Sequence, residues 1–367
     1  VLIKPLLEEV VKRSGSDLHV KLGAPPMVRV DGSLVPLDVP QPTNEEMDAA
    51  VDEILTPNQN KEFRETSEVD FAFGVPGLGR FRANFYRQRG STAMAFRLIP
   101  FDPPHVSELN LPPTIRELAL KPRGLVLVTG TVGSGKSTTL AAMVREINTN
   151  LRKNILTIED PVEFLHRDNK SLISQREVGS DTESFAAALR HILRQDPDVI
   201  LIGEIRDQLT MSIALTAANT GHLVLSTLHT VDAAQAVNRI ISFFPPHQHQ
   251  EVRFLMASCL QAIVSLRLVP RKDGKGRVPA TEVMIATGTV REYLADPSRT
   301  HLIKSVIEDS TTEYGMQSFD QSLLSWYNKG VITLEDALRY ASSPTALQIK
   351  AKGIETGQEA SWAPFEA

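Results

Sequence analysis

The sequence predicts an α/β fold, a mostly parallel sheet covered by helices, preceded by a smaller α+β domain. Three observations carry this. From Leu118 onward, short continuous apolar runs alternate with helical patterns, as buried parallel strands do. One of those runs leads directly into GTVGSGKST (130–138) and then a helix, the strand–loop–helix setting of a phosphate-binding loop. The first hundred residues instead carry short segments that alternate residue by residue among helical patterns, and a stretch with five prolines (99–113) separates the two regimes.

Bulk composition narrows the function classes. The 367 residues are 42% hydrophobic and 23% charged, ordinary for a globular chain too long for one small core. A formal charge of −5 argues against a protein built to neutralise nucleic-acid phosphates, so no nucleic-acid partner is expected. Cys259 is the only cysteine, which excludes an internal disulfide or a four-cysteine zinc site and suits a reducing, cytoplasmic setting. No run approaches the ~20 apolar residues of a membrane span, so membrane contact is expected to be peripheral, through a partner. The chain begins at Val1, and its last residues, GQEASWAPFEA, lack periodicity, so both ends read as frayed tails.

Taken in order, residues 2–11 space their apolar side chains as an amphipathic helix, ended by Ser14-Gly15-Ser16. Alternating segments follow at 18–22, 27–30 and 33–35, the latter two joined by Asp31-Gly32, a strong hairpin signal. Thr43 with Glu46 reads as a capping box opening a helix over 45–55. Strands are predicted at 68–73, 79–87 and 91–98. This places one domain over 1–98, a stiff linker over 99–113, and the second domain over 114–367, with a helical C-terminal portion.

In the second domain, buried strands are predicted at 125–129, 154–158, 199–202 and 223–227. Ser180 with Glu183 matches a capping box ahead of the stripe Phe185, Ala188, Leu189, Ile192 and Leu193. After Thr230 the pattern is helical, interrupted by a hairpin over 266–283, with helices following Thr287, Pro297, Met316 and Thr333.

The loop carries the clearest chemistry. Gly130, Gly133 and Gly135 allow the backbone to curl so that N–H groups of Thr131, Val132, Ser134 and their neighbours converge on an anion, helped by the dipole of the helix opening at Lys136–Thr138. Lys136 supplies charge for the β/γ-phosphates and Ser137 a hydroxyl suited to Mg²⁺, so ATP and Mg²⁺ are the expected cofactors. In a parallel sheet ligands gather at the carboxyl ends of strands. There the chain places Glu159 and Glu163, then Glu204, then His229. An acid is expected in the Mg²⁺ shell of a P-loop protein, and Glu204 directly follows Gly203 after an apolar strand; Gly203 stands where an aspartate is usual. His222 and His229 flank the 223–228 strand, and alone would read as hydrogen-bonded strand-end histidines.

Four blocks in order, GTVGSGKST, ILTIEDPVEF, DPDVILIGEIRD and TGHLVLSTLHT, resemble the Walker A, Asp, Walker B and His boxes of the secretion-superfamily hexameric ATPases, especially the PilT/PilU type of pilus retraction ATPase. Ser16-Asp17-Leu18-His19 and GRFRANFYRQRG (79–90) look like the family's N-terminal PAS-like domain, so the resemblance covers nearly the whole chain. It implies a RecA-like P-loop NTPase core in a homo-hexamer, with each site closed by the N-terminal domain of a neighbour. Glu163 is then the implied general base, Glu204 the Walker B glutamate, His229 a sensor of the γ-phosphate, and Arg80, Arg82 and Arg97 the candidates for arginines acting in trans. Glu159 and His222 belong to the same boxes.

The resemblance also implies an ATPase that drives pilus retraction and twitching motility, cytoplasmic and peripheral to the inner membrane, with a pilus platform protein and a paralogous retraction ATPase as partners. Assembly and type II secretion ATPases share these boxes, but usually carry a four-cysteine module that this chain lacks. Where PilT proteins show an AIRN-type segment, this chain has GTVREYL (288–294), so the PilT and PilU types stay open. A RecA-like nucleic-acid motor and a non-hydrolysing nucleotide-gated scaffold are the competing classes.

Overall fold

A computed structural model describes residues 3–30, 32–310 and 314–352. The chain divides into two compact units: Val1–Asp102 with the short segments Pro161–Leu165 and Gly179–Asp181, and the remainder.

The first unit is built on one antiparallel sheet. Its strands are β1 (Asp17–Lys21), β2 (Met27–Val30), β3 (Ser33–Pro36), β4 (Glu68–Val75), β5 (Gly79–Gln88) and β6 (Ser91–Ile99), in the order β3-β2-β1-β6-β5-β4. Val30 faces Ser33 across the β2–β3 pair; Asp31 of the expected turn lies outside the described residues. Alternation sends Leu18, Phe81, Phe85 and Phe96 to one face, where they are buried with Leu6 and Leu7 of α1 (Ile3–Lys12) and Met47 of α2 (Asn44–Ile54). Thr43 and Glu46 make the anticipated capping box on α2. A further helix, α3 (Pro57–Thr66), is capped the same way by Thr56 and Gln59 and anchored by buried Phe63.

The opposite face is polar. Arg29, Asp17, Arg97 and Arg82 stand side by side on β2, β1, β6 and β5. Arg97 Nε donates to Asp17 Oδ1 at 2.8 Å, and Arg29 Nε lies 3.7 Å from the other oxygen. Burial pushes the Asp17 carboxyl up, but the Ser16 hydroxyl and Arg97 override it and hold the group below the usual aspartate range.

The second unit centres on a seven-stranded sheet ordered β13-β12-β7-β11-β10-β8-β9. These strands are β7 (Gly124–Thr129), β8 (Asn154–Glu159), β9 (Leu172–Glu177), β10 (Val199–Ile202), β11 (Leu223–Leu228), β12 (Leu260–Pro270) and β13 (Arg277–Ile285). All neighbouring pairs are parallel except β12–β13, a hairpin that extends the anticipated 266–283 at both ends. Side chains alternate between two cores. Val126, Val128, Ile155 and Leu225 pack with α4 (Thr114–Ala119) and α5 (Lys136–Asn150). Leu125, Leu127, Ile158, Ile202 and Val224 pack on the other side with α6 (Phe185–Ile192), α7 (Gln208–Asn219), α8 (Ala233–Ser242) and α9 (His249–Cys259). Burial on both faces explains why these strands read as unbroken apolar runs.

Val106, within the proline-rich stretch, is buried in the α4–α5 core, and Arg145 Nη1 donates to the Pro103 carbonyl. The Ser180–Glu183 match is not a cap. The α6 N-cap is Ser184, whose hydroxyl accepts from Ala187 N, while Val178 and Thr182 bridge across the intervening turn. The C-terminal helices 319–328, 334–340 and 344–351 bury Phe319, Leu323, Ala337 and Leu347 against Val269 and Val278 of the hairpin. Among the described residues no helix is long and apolar enough to cross a membrane.

Candidate functional site

The loop emerges from the carboxyl end of β7, an interior strand between β12 and β11, and α5 starts at Lys136. A close approach fixes its shape. A Cβ at Gly130 would run into Ser134 Oγ and lie 2.7 Å from the Leu266 carbonyl oxygen, and φ is +145°, so only glycine fits. One residue earlier, Thr129 Oγ1 donates to Ser265 Oγ at 2.9 Å, pinning the loop's entry to β12. Lys136 is 8% exposed, and its Nζ donates to the Gly130 and Thr131 carbonyls at 3.0 and 2.9 Å. The ammonium is therefore held at the loop rather than in solvent.

The parallel register carries neighbouring strand ends to the same edge. Thr129 pairs with Leu228, and Ile202 pairs with both Ser226 and Ile158. His229 follows Leu228 and Glu204 follows two residues after Ile202. His229 Nε2 and Glu204 Oε2 are 3.0 Å apart, while Arg206 pairs with Glu204 Oε1. Two hydroxyls lock the chain leaving β10: Ser226 Oγ donates to Ile202 O and Thr227 Oγ1 to Gly203 O, both at 2.7 Å.

The glycine at 203 has a physical reason. A Cβ there would lie 3.3 Å from Glu159 Cα and 3.4 Å from the Ile158 carbonyl, tighter than the neighbouring strand tolerates without shifting. Glu159 is itself tied down, accepting from Thr157 Oγ1 at 2.7 Å and Gln175 Nε2 at 3.2 Å.

An anion cradle, a buried lysine and a strand-end carboxylate paired with histidine on adjacent parallel strands form a nucleotide-hydrolysis arrangement. Comparison with known proteins agrees. Residues 107–300 match the family described as Type II/IV secretion system protein. The type IV pilus retraction ATPase PilT of Pseudomonas aeruginosa is 42% identical over 342 residues, 93% of this chain and 98% of the relative.

The chain belongs to the type II/IV secretion system protein family.

The type IV pilus ATPase PilU of the same organism is also 42% identical, over 95% of this chain and 90% of its own. The crystal structure of the pilus retraction motor PilT with bound ADP superposes with a TM-score of 0.87 at 42% identity, covering 95% of this chain and 99% of that one. This family likeness matches the mixed α/β architecture, with its mostly parallel sheet.

Not every residue singled out in the sequence comes to the loop. His222 precedes Leu223, which pairs with Gly124 at the start of β7, so it stands at the amino edge of the sheet, opposite His229. There its Nδ1 lies 2.9 Å from Ala217 O and its carbonyl accepts from Gly124 N. This removes it from the phosphate end. Glu163 lies in Pro161–Leu165, which groups with the first unit, where Leu165 N donates to Pro100 O and its carbonyl accepts from Asp102 N. Arg82 and Arg97 are cross-strand partners in that unit, and Arg80 pairs with Ile99 two positions along the same strand.

Arg206 and Thr227 were not singled out from the sequence. Arg206 sits inside the GEIRD block, two residues after Glu204, but i,i+2 spacing in a loop does not specify an ion pair. For a metal, Ser137 and Glu204 offer a hydroxyl and a carboxylate; among the described residues no cluster of three or more His, Cys, Asp or Glu could hold one. By residue type these oxygens suit Mg²⁺, which takes one or two protein oxygens and completes its shell with phosphate and water, although both Glu204 oxygens are engaged here by Arg206 and His229.

Proposed function

We propose that this chain is an ATPase that drives type IV pilus retraction, working as a homo-hexamer on the cytoplasmic side of the inner membrane against a pilus platform protein. The observation that carries it is 42% identity to the PilT retraction ATPase along nearly the full length of both chains, together with the Glu204–His229 pair beside the Gly130–Thr138 loop. A paralogous retraction ATPase is a further partner on this reading. The roles divide between a PAS-like domain (1–98) and a RecA-like domain (114–367).

ATP binds with its phosphates against the loop N–H groups and the Lys136 ammonium. Ser137 and Glu204 would hold Mg²⁺, which supplies charge neutralisation across the β- and γ-phosphates. Glu163 orients the attacking water and takes its proton as general base. His229, bonded to Glu204, reports on the γ-phosphate. Arg80, Arg82 and Arg97 of a neighbouring copy add positive charge as the leaving group departs, an effect typically worth about 10³ to 10⁵ in rate. A site needing its neighbour couples hydrolysis to movement between subunits.

Two measurements test this. Purified chain should release phosphate from ATP, and Glu163→Gln should retain bound ATP without turnover; undiminished turnover in that variant removes Glu163 from the role. Cells lacking the gene should carry excess pili that do not retract, whereas cells without pili would point to assembly instead.

A further inference from the structure

One buried carboxyl takes no part in the site described above. The strand pairings set Leu228, Thr129, Ser265 and Glu282 in one row across β11, β7, β12 and β13. Cross-strand partners share a face of the sheet, here the face that α8 covers. The row lies at the carboxyl edge of the parallel strands, where His229 follows its first member and the phosphate loop its second. Thr129 Oγ1 bonds Ser265 Oγ within it. Glu282, 6% exposed, closes the row from the far strand, and its Oε1 accepts from Ala233 N at 2.8 Å.

Ala233 is the first residue of α8, and only Thr230, Val231 and Asp232 separate it from His229. That connection is tied at one end by the pairing of Leu228 with Thr129 and at the other by Glu282. Among the described residues, Thr230 Oγ1 is buried without a hydrogen-bond partner, and the Asp232 carboxylate accepts only from Gln235 of its own helix. Burying a carboxyl is costly unless it makes a bond that is needed. Asp232, Arg267 of β12 and Lys304 of the helix Ile303–Asp309 line one cavity with Glu282, and Arg267 is spent on the Tyr340 carbonyl and the Phe319 ring. The Ala233 N–H is the donor that meets Glu282.

We propose that Glu282 is a positioning residue for hydrolysis: by holding the Ala233 N–H it fixes the connection 229–232, and through it the His229 ring beside Glu204. This rests on the reading that Glu204 and His229 belong to an ATP-hydrolysing site. Glu282 touches neither nucleotide nor water; its effect passes through His229.

Steady-state phosphate release from ATP by the full chain tests this with two variants that separate reach from charge. Glu282→Gln keeps an acceptor within reach of Ala233 N and should keep most of the parent's kcat. Glu282→Asp keeps the charge but withdraws the acceptor by one methylene, and should lower kcat about tenfold while KM and ADP affinity stay within about twofold. In a His229→Ala background Glu282→Asp should lower kcat no further, because the two act as a unit. If Glu282→Asp fails to fold, Ala233→Pro removes the same N–H at a helix position that proline suits, and the same loss of kcat is expected. Unchanged kcat in the variant that folds, a loss confined to KM, or an equal further loss without His229 overturns the positioning role alone. A parent chain that releases no phosphate overturns the hydrolysis reading and this role with it.

Discussion

His229 Nε2 lies 3.0 Å from Glu204 Oε2, and Arg206 takes the other oxygen of the same carboxylate. Both oxygens of Glu204 thus have a partner, one from the end of the adjacent strand and one from its own loop. Glu204→Gln should lower ATP hydrolysis by about a hundredfold or more while nucleotide still binds, and His229→Ala by about 10- to 100-fold. Steady-state phosphate release beside equilibrium ADP binding checks this; a parallel loss of binding would assign the pair to holding the nucleotide.

Gly130→Ala places a methyl group against Ser134 Oγ and the Leu266 carbonyl, and the latter belongs to a paired strand that cannot move aside. Strain of this kind typically costs about 1–3 kcal/mol. The variant should melt earlier than the parent and lose nucleotide affinity, measured by thermal unfolding with and without ADP.

Lys136→Ala removes a buried donor from two loop carbonyls, a loss of about 1 kcal/mol in stability. Its larger consequence is in binding. Added ADP should raise the melting temperature of the parent chain and leave that of the variant unchanged, since a ligand that binds only the folded state stabilises by mass action.

Glu282 is buried on β13, and its Oε1 accepts from Ala233 N at 2.8 Å at the start of α8. Burial pushes its carboxyl up to about 7, with Asp232 adding to the rise and the Ala233 N–H, Arg267 and Lys304 opposing it. A carboxyl raised in the folded state keeps its proton there while the unfolded chain has lost it. Its contribution to stability is therefore full below about 4.5, declines as pH rises through about 7, and stays lost above. Glu282→Gln keeps an acceptor for Ala233 N and cannot ionise. The melting temperature of the variant relative to the parent should climb between pH 5 and pH 8; a constant difference would show that Glu282 stays ionised throughout.

Where burial and periodicity coincide, the fold was legible. β7, β8, β10 and β11 are buried on both faces, so each is an apolar run with no other explanation, and the loop's fixed positions mark the phosphate end. Thr43 and Glu46 announced α2 because a capping box is local chemistry. By contrast α3 buries only Phe63 among its ten residues and shows no stripe. β9 is an edge strand with exposed Leu172 and polar Ser174, Gln175 and Arg176, so it lacks the signature of its partners.

The site divides in the same way. Lys136, Glu204 and His229 follow from strand order, because a residue just past a parallel strand must lie at the carboxyl edge. His222 shows the limit: it shares a block with His229, yet six strand residues separate them, and a strand has two ends. The hydroxyl bonds of Ser226 and Thr227 depend on the β10–β11 register, which no local pattern encodes.

The row Arg29, Asp17, Arg97 and Arg82 sets three guanidiniums against one carboxylate on neighbouring strands. Strands lie about 4.8 Å apart, so the surplus positive charge is packed within a span comparable to two Debye lengths at physiological ionic strength, each about 8 Å. An acidic surface that meets this face is attracted before contact and a basic one repelled, and the reach of either effect contracts as salt is added.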